Sequence, residues 1–109
     1  MAASTTAPTL HFPTAIDLAV FDQAGPSPQF LVDSEKLKVV VVGLEPGQEI
    51  PVHPETPAVY TFLAGSGVMT VDDRAFAVTA GAVVIAPPGA ARGLRADDRL
   101  IFLAAKSGL

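Results

Sequence analysis

Short runs of Val, Ile, Leu and Phe recur along the chain between turn-forming residues, and no long stretch repeats with the period of a helix. Runs of this kind are typical of strands when Gly, Pro and Asp punctuate them. The pattern predicts eight strands, at residues 16–21, 29–32, 37–44, 58–63, 67–71, 75–79, 82–85 and 100–104. The chain is therefore predicted to be all-β.

Turn residues set the boundaries between these runs. Residues 71–74, Val-Asp-Asp-Arg, join two runs of alternating apolar residues and predict a tight hairpin in which Asp73 takes the left-handed backbone conformation. The Pro-Pro-Gly of residues 87–89 ends the run before it, because proline cannot donate to a central strand ladder. This spacing fits an immunoglobulin-like sandwich or a jelly-roll barrel, and periodicity alone does not separate them.

Size and composition fit a single globular domain. The chain has 109 residues, of which 50% are hydrophobic and 17% charged, so a core can form. Residues 1–9 are small and polar and are predicted to be a flexible N-terminal segment, with the barrel domain over residues 10–109. The absence of cysteine excludes disulfides, thiolate metal sites and cysteine nucleophiles.

The charge balance argues against two classes of partner. Seven basic and eleven acidic residues give a net charge of -4, the wrong sign for binding nucleic acid or an anionic membrane surface. No apolar run has the length of a spanning helix, and the N-terminus lacks the pattern of a signal peptide. A soluble cytoplasmic protein is predicted. The apolar run at 16–21 and the high hydrophobic fraction predict a homodimer, because exposed strands pair readily with another copy.

The spacing of glycine and proline is more specific. Five residues separate Gly47 from His53, and the apolar run that follows ends at Gly65. Five residues also separate Gly81 from the turn at 87–89, and fifteen lie between Gly65 and Gly81. These two segments resemble the paired motifs of the cupin superfamily. The resemblance implies a single-domain double-stranded β-helix, a jelly-roll barrel with a functional site at its mouth.

The positions that the resemblance implies for metal ligands carry other residues. Cupins hold a divalent metal with two histidines and a glutamate from the first motif and one histidine from the second. Here the first histidine is His53, the second falls on Glu55, the glutamate falls within residues 58–60, and the last histidine falls on Arg92. A guanidinium keeps its positive charge, and a catalytic metal normally needs three protein ligands. We predict no metal cofactor; the alternative is zinc, iron, nickel or manganese on an unorthodox set that includes His11.

The replaced ligands allow two interpretations. Glu55 and Arg92 form one ion pair where the metal would lie, or Arg92 recognises an anionic group of a small ligand together with His53 and Tyr60. His53 could also simply end a strand with a hydrogen bond to a backbone carbonyl. The predicted ligand-binding residues are His53, Glu55, Tyr60 and Arg92.

Three classes of function follow from this site. The chain is a small cupin-like barrel protein that is non-catalytic or binds a small, anionic ligand after loss of the metal site. Alternatively it is a cupin enzyme, metal-dependent or metal-free and dioxygenase- or isomerase-like, that uses His53 and Glu55 for acid–base chemistry. The third class is a purely structural homodimer. Whether any reaction is catalysed stays open at this point.

Overall fold

The computed structural model describes residues 9–108, so the predicted flexible segment lies outside the described residues except for Thr9. A short 3-10 helix, Ala15–Leu18, precedes the strands. The strands are β1 (Ser27–Asp33), β2 (Leu37–Leu44), β3 (Glu49–Pro54), β4 (Ala58–Ala64), β5 (Ser66–Val71), β6 (Arg74–Thr79), β7 (Val83–Ala86), β8 (Ala91–Ala96) and β9 (Leu100–Ser107). No helix within this part of the chain is long and apolar enough to cross a membrane.

The strands form two antiparallel sheets. One has the order β1-β2-β9-β4-β7 and the other the order β3-β8-β5-β6. The chain crosses between the sheets after β2, β3, β4, β6, β7 and β8, so residues distant in sequence meet between the two sheets. This arrangement confirms the predicted all-β fold, a single-domain double-stranded β-helix.

The core lies between the inner faces of the two sheets. In β4, Ala58, Tyr60 and Phe62 are buried and Val59 between them is exposed, as expected because successive strand residues point to opposite faces. The Phe102 ring of β9 lies 5.6 Å from the Tyr60 ring and 5.9 Å from the Phe62 ring, centroid to centroid. Tilted aromatic pairs at this separation add to the stability gained by burial.

One predicted strand is wrong. Residues 16–18 of the run at 16–21 belong to the 3-10 helix Ala15–Leu18, and the chain then passes over the outer face of β2 at Gly43. The backbone oxygen of Val20 and the ring of Phe21 lie where a side chain on Gly43 would be. The run is therefore used within the chain to cover its own sheet. The predicted homodimer, which rested partly on this run, stays a prediction.

Two strands, β3 and β8, were not predicted from the hydrophobic pattern. In addition, the left-handed residue of the β5–β6 hairpin lies one position before the predicted one. β3 contains Pro51 and Pro54, which its position at a sheet edge tolerates. β8 carries two arginines and a glycine, so its sequence does not look like a central strand. In the β5–β6 hairpin, Asp72 has the positive φ of 53°, and the prediction that Asp73 would take this conformation is wrong.

The motif glycines do occupy turns. Gly47, Gly65, Gly81 and Gly89 all have positive φ. Gly65 is the most constrained, because a Cβ there would lie 1.7 Å from the backbone oxygen of Arg99. Only glycine fits this turn between β4 and β5, which supports the register of the motif.

Candidate functional site

The four predicted site residues meet at one end of the two sheets, where the chain leaves β3 and enters β4. We call this end the mouth. Arg92 of β8 lies directly across from His53 of β3 in the sheet register. Glu55 follows the last residue of β3, and Tyr60 projects inward from β4. The structure thus brings the four residues together, while their predicted role in binding a ligand stays a prediction.

Arg92 is the one charged residue among the buried residues of the described chain, with 1% of its surface exposed. Its Nη1 donates to Oε1 of Glu55 at 3.3 Å, and its Nη2 donates to the backbone oxygen of Glu55 at 3.2 Å. The predicted ion pair is therefore confirmed, although only one guanidinium nitrogen contacts the carboxylate. Within residues 9–108, Nε of Arg92 has no hydrogen-bond partner, which is costly for a buried donor.

The site includes a lysine that the sequence did not single out. Nζ of Lys106, in β9, lies 2.9 Å from Oε1 of Glu55, closer than the guanidinium of Arg92. Phe102 and Ala104 of β9 point into the core, so two-residue alternation also places Lys106 on the inner face. The available signal was a lysine two residues beyond the predicted strand at 100–104, in step with the inward-facing residues of that strand.

Electrostatics keep Glu55 ionised. Partial burial raises the pKa of its carboxyl, but the hydrogen bond and charge of Lys106, with the charges of His53 and Arg92, lower that pKa by more. The net result is a Glu55 pKa below its ordinary value. Burial raises the pKa of the Tyr60 hydroxyl above its ordinary value, against the opposing influence of the Arg92 guanidinium. At neutral pH the mouth therefore contains a carboxylate and a neutral phenol.

The two nitrogens of His53 face different surroundings. Nδ1 lies 2.8 Å from the backbone oxygen of Pro51, and because a carbonyl oxygen only accepts, Nδ1 carries the hydrogen. Nε2 lies 3.8 Å from Oε2 of Glu55, too far for a direct hydrogen bond. The strand-end contact with a backbone carbonyl is thus present, and it leaves Nε2 directed toward Glu55.

A cavity of about 420 Å³ opens beside this cluster, between β1, β2 and β3. We call it the β1–β3 cavity. His53 and Lys106 are its polar residues near the mouth, and Glu49 lies at the other end of β3. Its remaining lining is apolar: Pro26, Pro28, Phe30, Val40, Val42, Ile50, Pro51 and Phe102. Of the predicted site residues, only His53 lines it, and Glu55, Tyr60 and Arg92 do not.

The residues at the mouth do not fit a divalent metal. Within residues 9–108, no three His, Cys, Asp or Glu side chains lie close enough together to hold one, and the exposed His11 does not join His53 and Glu55. Glu55, the carboxylate nearest to His53, is contacted by the side chains of Arg92 and Lys106. A metal ion there would have to compete with both and would face the repulsion of Arg92.

Comparison with known proteins identifies the family to which this fold and its motifs belong. The sequence profile of the Cupin domain family matches residues 40–105, more than half of the chain. A conserved protein of unknown function from Streptococcus pyogenes has a similar structure, with a TM-score of 0.83 and 24% identity over 94% of this chain and 93% of that one. An RmlC-like cupin from Desulfovibrio desulfuricans is 28% identical, with a TM-score of 0.74 over 82% of this chain and 88% of its own. Among curated proteins, none matches the sequence significantly. The chain belongs to the cupin family.

Proposed function

We propose that this cupin binds a small anionic molecule without a metal ion. The observation that carries the proposal is the surroundings of Glu55: one carboxylate lies among the side chains of Arg92, Lys106 and His53. Arg92 and Lys106 contribute two positive charges against the single negative charge of Glu55, so one positive charge is left uncompensated. We call Glu55, Arg92, Lys106 and His53 the Glu55 cluster.

An uncompensated cation beside a mostly apolar cavity favours an anionic ligand. Ligand sites are usually concave, apolar and fitted with a few polar groups that fix orientation. The β1–β3 cavity has this composition, and its volume of about 420 Å³ lies in the usual range for small-molecule sites. A cluster with only a structural role would need just one cation for the one carboxylate.

The proposal is tested by calorimetric titration of the purified protein with small carboxylic acids, in the presence and absence of a chelator such as EDTA. We expect saturable binding of at least one monocarboxylate that the chelator does not change. Binding that disappears with EDTA and returns with zinc, iron, nickel or manganese would contradict a metal-free site. Saturable binding of neutral compounds alone would contradict an anionic ligand.

Metal-free acid–base catalysis is the second candidate, and the orientation of His53 favours it. Because Nδ1 donates to the oxygen of Pro51, Nε2 of the neutral ring is available as a base at the edge of the β1–β3 cavity. Solvent-deuterium exchange into a bound carboxylic acid, monitored by NMR, would detect such proton transfer. Exchange that is lost in His53→Gln while binding persists would favour an enzyme over a binding protein.

A homodimer and a cytoplasmic location stay predictions from the sequence. Exposed apolar side chains remain on the outer face of the first sheet, among them Val59, Val83 and Ile85. Sedimentation velocity at micromolar protein concentration measures the assembly state directly. We expect twice the monomer mass, and the monomer mass alone would contradict the dimer.

A further inference from the structure

We propose that the ligand is a monocarboxylate with an apolar body, that its carboxylate binds Lys106, and that Glu55 restricts the site to ligands with a single negative charge. This inference rests on the proposed function and names the ligand class and the residues that select it. Lys106 is the residue that joins the two parts of the site, because it contacts Glu55 and also lines the β1–β3 cavity.

Solvent exposure determines which of the two cationic side chains, Arg92 or Lys106, a ligand can contact. Arg92 carries the larger hydrogen-bonding group, but only 1% of its surface is exposed and it does not line the cavity. The Lys106 side chain is 24% exposed. A ligand in the cavity can therefore reach Lys106 without disturbing the core. Arg92 does not contact the ligand and instead fixes the position of Glu55 through two hydrogen bonds.

The shape and lining of the cavity fix the other half of the ligand. Phe30, Val40, Ile50 and Phe102 supply apolar surface from both sheets. The volume of about 420 Å³ would hold about 14 water molecules at liquid density, enough for an aromatic ring or a branched chain with a short acidic arm. Burying such a body in an apolar cavity adds affinity that a bare anion lacks.

Charge counting explains why the ligand carries one negative charge. Arg92 and Lys106 contribute two positive charges and Glu55 removes one, so a monoanion completes neutrality at the mouth. Lys38, which lies opposite Lys106 in the sheet, is paired with Asp33 at 3.3 Å and adds no excess. Glu49 lines the cavity at the far end of β3, where it disfavours a second anionic group on the body.

Four probes separate these requirements in calorimetric titrations of the full chain at pH 7.5. Phenylacetate has a carboxylate and a ring, acetate lacks the ring, benzyl alcohol lacks the charge, and phenyl phosphate carries nearly two charges at this pH. Phenylacetate is expected to bind most tightly. Equal binding of acetate or benzyl alcohol would overturn the two-part ligand, and equal or tighter binding of phenyl phosphate would overturn the preference for a monoanion.

Lys106→Gln tests the anchor, and Lys36→Gln, on the exposed turn between β1 and β2, is its control for net charge. Loss of a cation that contacts Glu55 and lines the cavity is expected to weaken phenylacetate binding about tenfold, whereas loss of Lys36, which does not line the cavity, should change it less than about twofold. Equal effects of the two variants would overturn the role of Lys106.

Glu55→Gln tests the selection of charge. Removing this carboxylate leaves two uncompensated cations, so the affinity for phenyl phosphate should rise relative to phenylacetate by about fivefold, the effect of one charge at about 4 Å in water. An unchanged ratio would overturn the role of Glu55 as the selecting residue.

NMR of the unmodified protein locates the probe and does not depend on any variant folding. Methyl shifts of Val40, Val42 and Ile50 should move on adding phenylacetate, while those of Val83 and Ile85, on the outer face, should not. If phenylacetate binds but shifts other methyl signals, the β1–β3 cavity is not its binding site, while the proposed function of binding an anion still holds. If none of the four probes binds, the proposed function and this inference both fail.

Discussion

Nζ of Lys106 lies 2.9 Å from Oε1 of Glu55, so a residue of the last strand neutralises the residue that follows β3. The same oxygen lies 3.3 Å from Nη1 of Arg92. One carboxylate oxygen is therefore shared by two cations at the position where the sequence motif would place metal ligands. The stability and the ligand preference of the mouth both depend on this shared contact.

The charge of Glu55 should make stability depend on pH. Because the Glu55 pKa lies below its ordinary value of 4.5, its contribution is present above that value and is lost as pH falls through the lower, folded-state pKa. We expect Glu55→Gln to be less stable than the unmodified protein at pH 7 and this difference to shrink as the pH falls below 4.5. Urea unfolding at pH 7 and at a series of lower pH values measures it, with Glu35→Gln, on an exposed turn, as the control. Equal stability of Glu55→Gln and the unmodified protein at pH 7 would contradict a stabilising contact.

Arg92 should contribute mainly by filling space and only partly by its charge. Arg92→Ala leaves a cavity and an unpaired carbonyl, and we expect it to lower the free energy of unfolding by about 3 kcal/mol or more. Arg92→Met keeps most of the volume and removes a buried charge with an unpaired Nε, while Lys106 still neutralises Glu55. Its expected cost is about 1 to 2 kcal/mol. Chemical denaturation compares the two, and a Met variant as unstable as the Ala variant would show that the charge dominates.

The turn glycines offer a matched pair of substitutions. Gly47 and Gly65 have nearly the same φ, 85° and 82°, but only at Gly65 would a Cβ collide, with the backbone oxygen of Arg99. Gly47→Ala is expected to cost about 1 to 2 kcal/mol from the left-handed conformation alone. Gly65→Ala should cost about 2 kcal/mol more, because backbone must move. Thermal and urea unfolding measure both, and equal costs would mean that the close approach to Arg99 is relieved at no cost.

The fold could be predicted from the sequence because its signals are local. Alternation of apolar residues located most strands, and the turns around Gly47, Gly65 and Gly81 identified the cupin arrangement. β3 and β8 were not predicted, because both strands carry polar residues of the candidate site. They carry prolines, arginines and a histidine at positions where the pattern of a buried strand has apolar residues. Residues of the candidate site interrupt the hydrophobic pattern there.

The composition of the site was only half predictable. The motif spacing brought His53, Glu55 and Arg92 together, but the contact of Lys106 with Glu55 depends on how β9 lies beside β4 and how the chain after β3 turns. No local pattern encodes that register, since β9 pairs with β2 and β4 over long sequence separations. The β1–β3 cavity likewise exists only after the two sheets pack.

Arg99 should hold the segment before β1 against the barrel. Its guanidinium donates to both carboxylate oxygens of Glu45, at 2.8 and 3.0 Å, and lies 4.3 Å from the centre of the Phe21 ring. We expect Arg99→Met to increase hydrogen exchange over residues 15–25 and to leave β4 and β9 unchanged. Arg95→Met, which breaks an exposed pair with Asp97, is the control. Unchanged exchange over residues 15–25 would show that Phe21 and its neighbours are held by packing alone.

The central claim is that an ion pair replaces the metal of the cupin site, and elemental analysis tests it most directly. The protein is purified after expression in medium supplemented with zinc, iron, nickel and manganese, alongside Arg92→His, which restores a neutral ligand. We expect substoichiometric metal in the unmodified protein and more in Arg92→His, because removing the guanidinium frees Glu55 from one of its two cations. Near-stoichiometric metal in the unmodified protein that is lost in His53→Ala would contradict the claim.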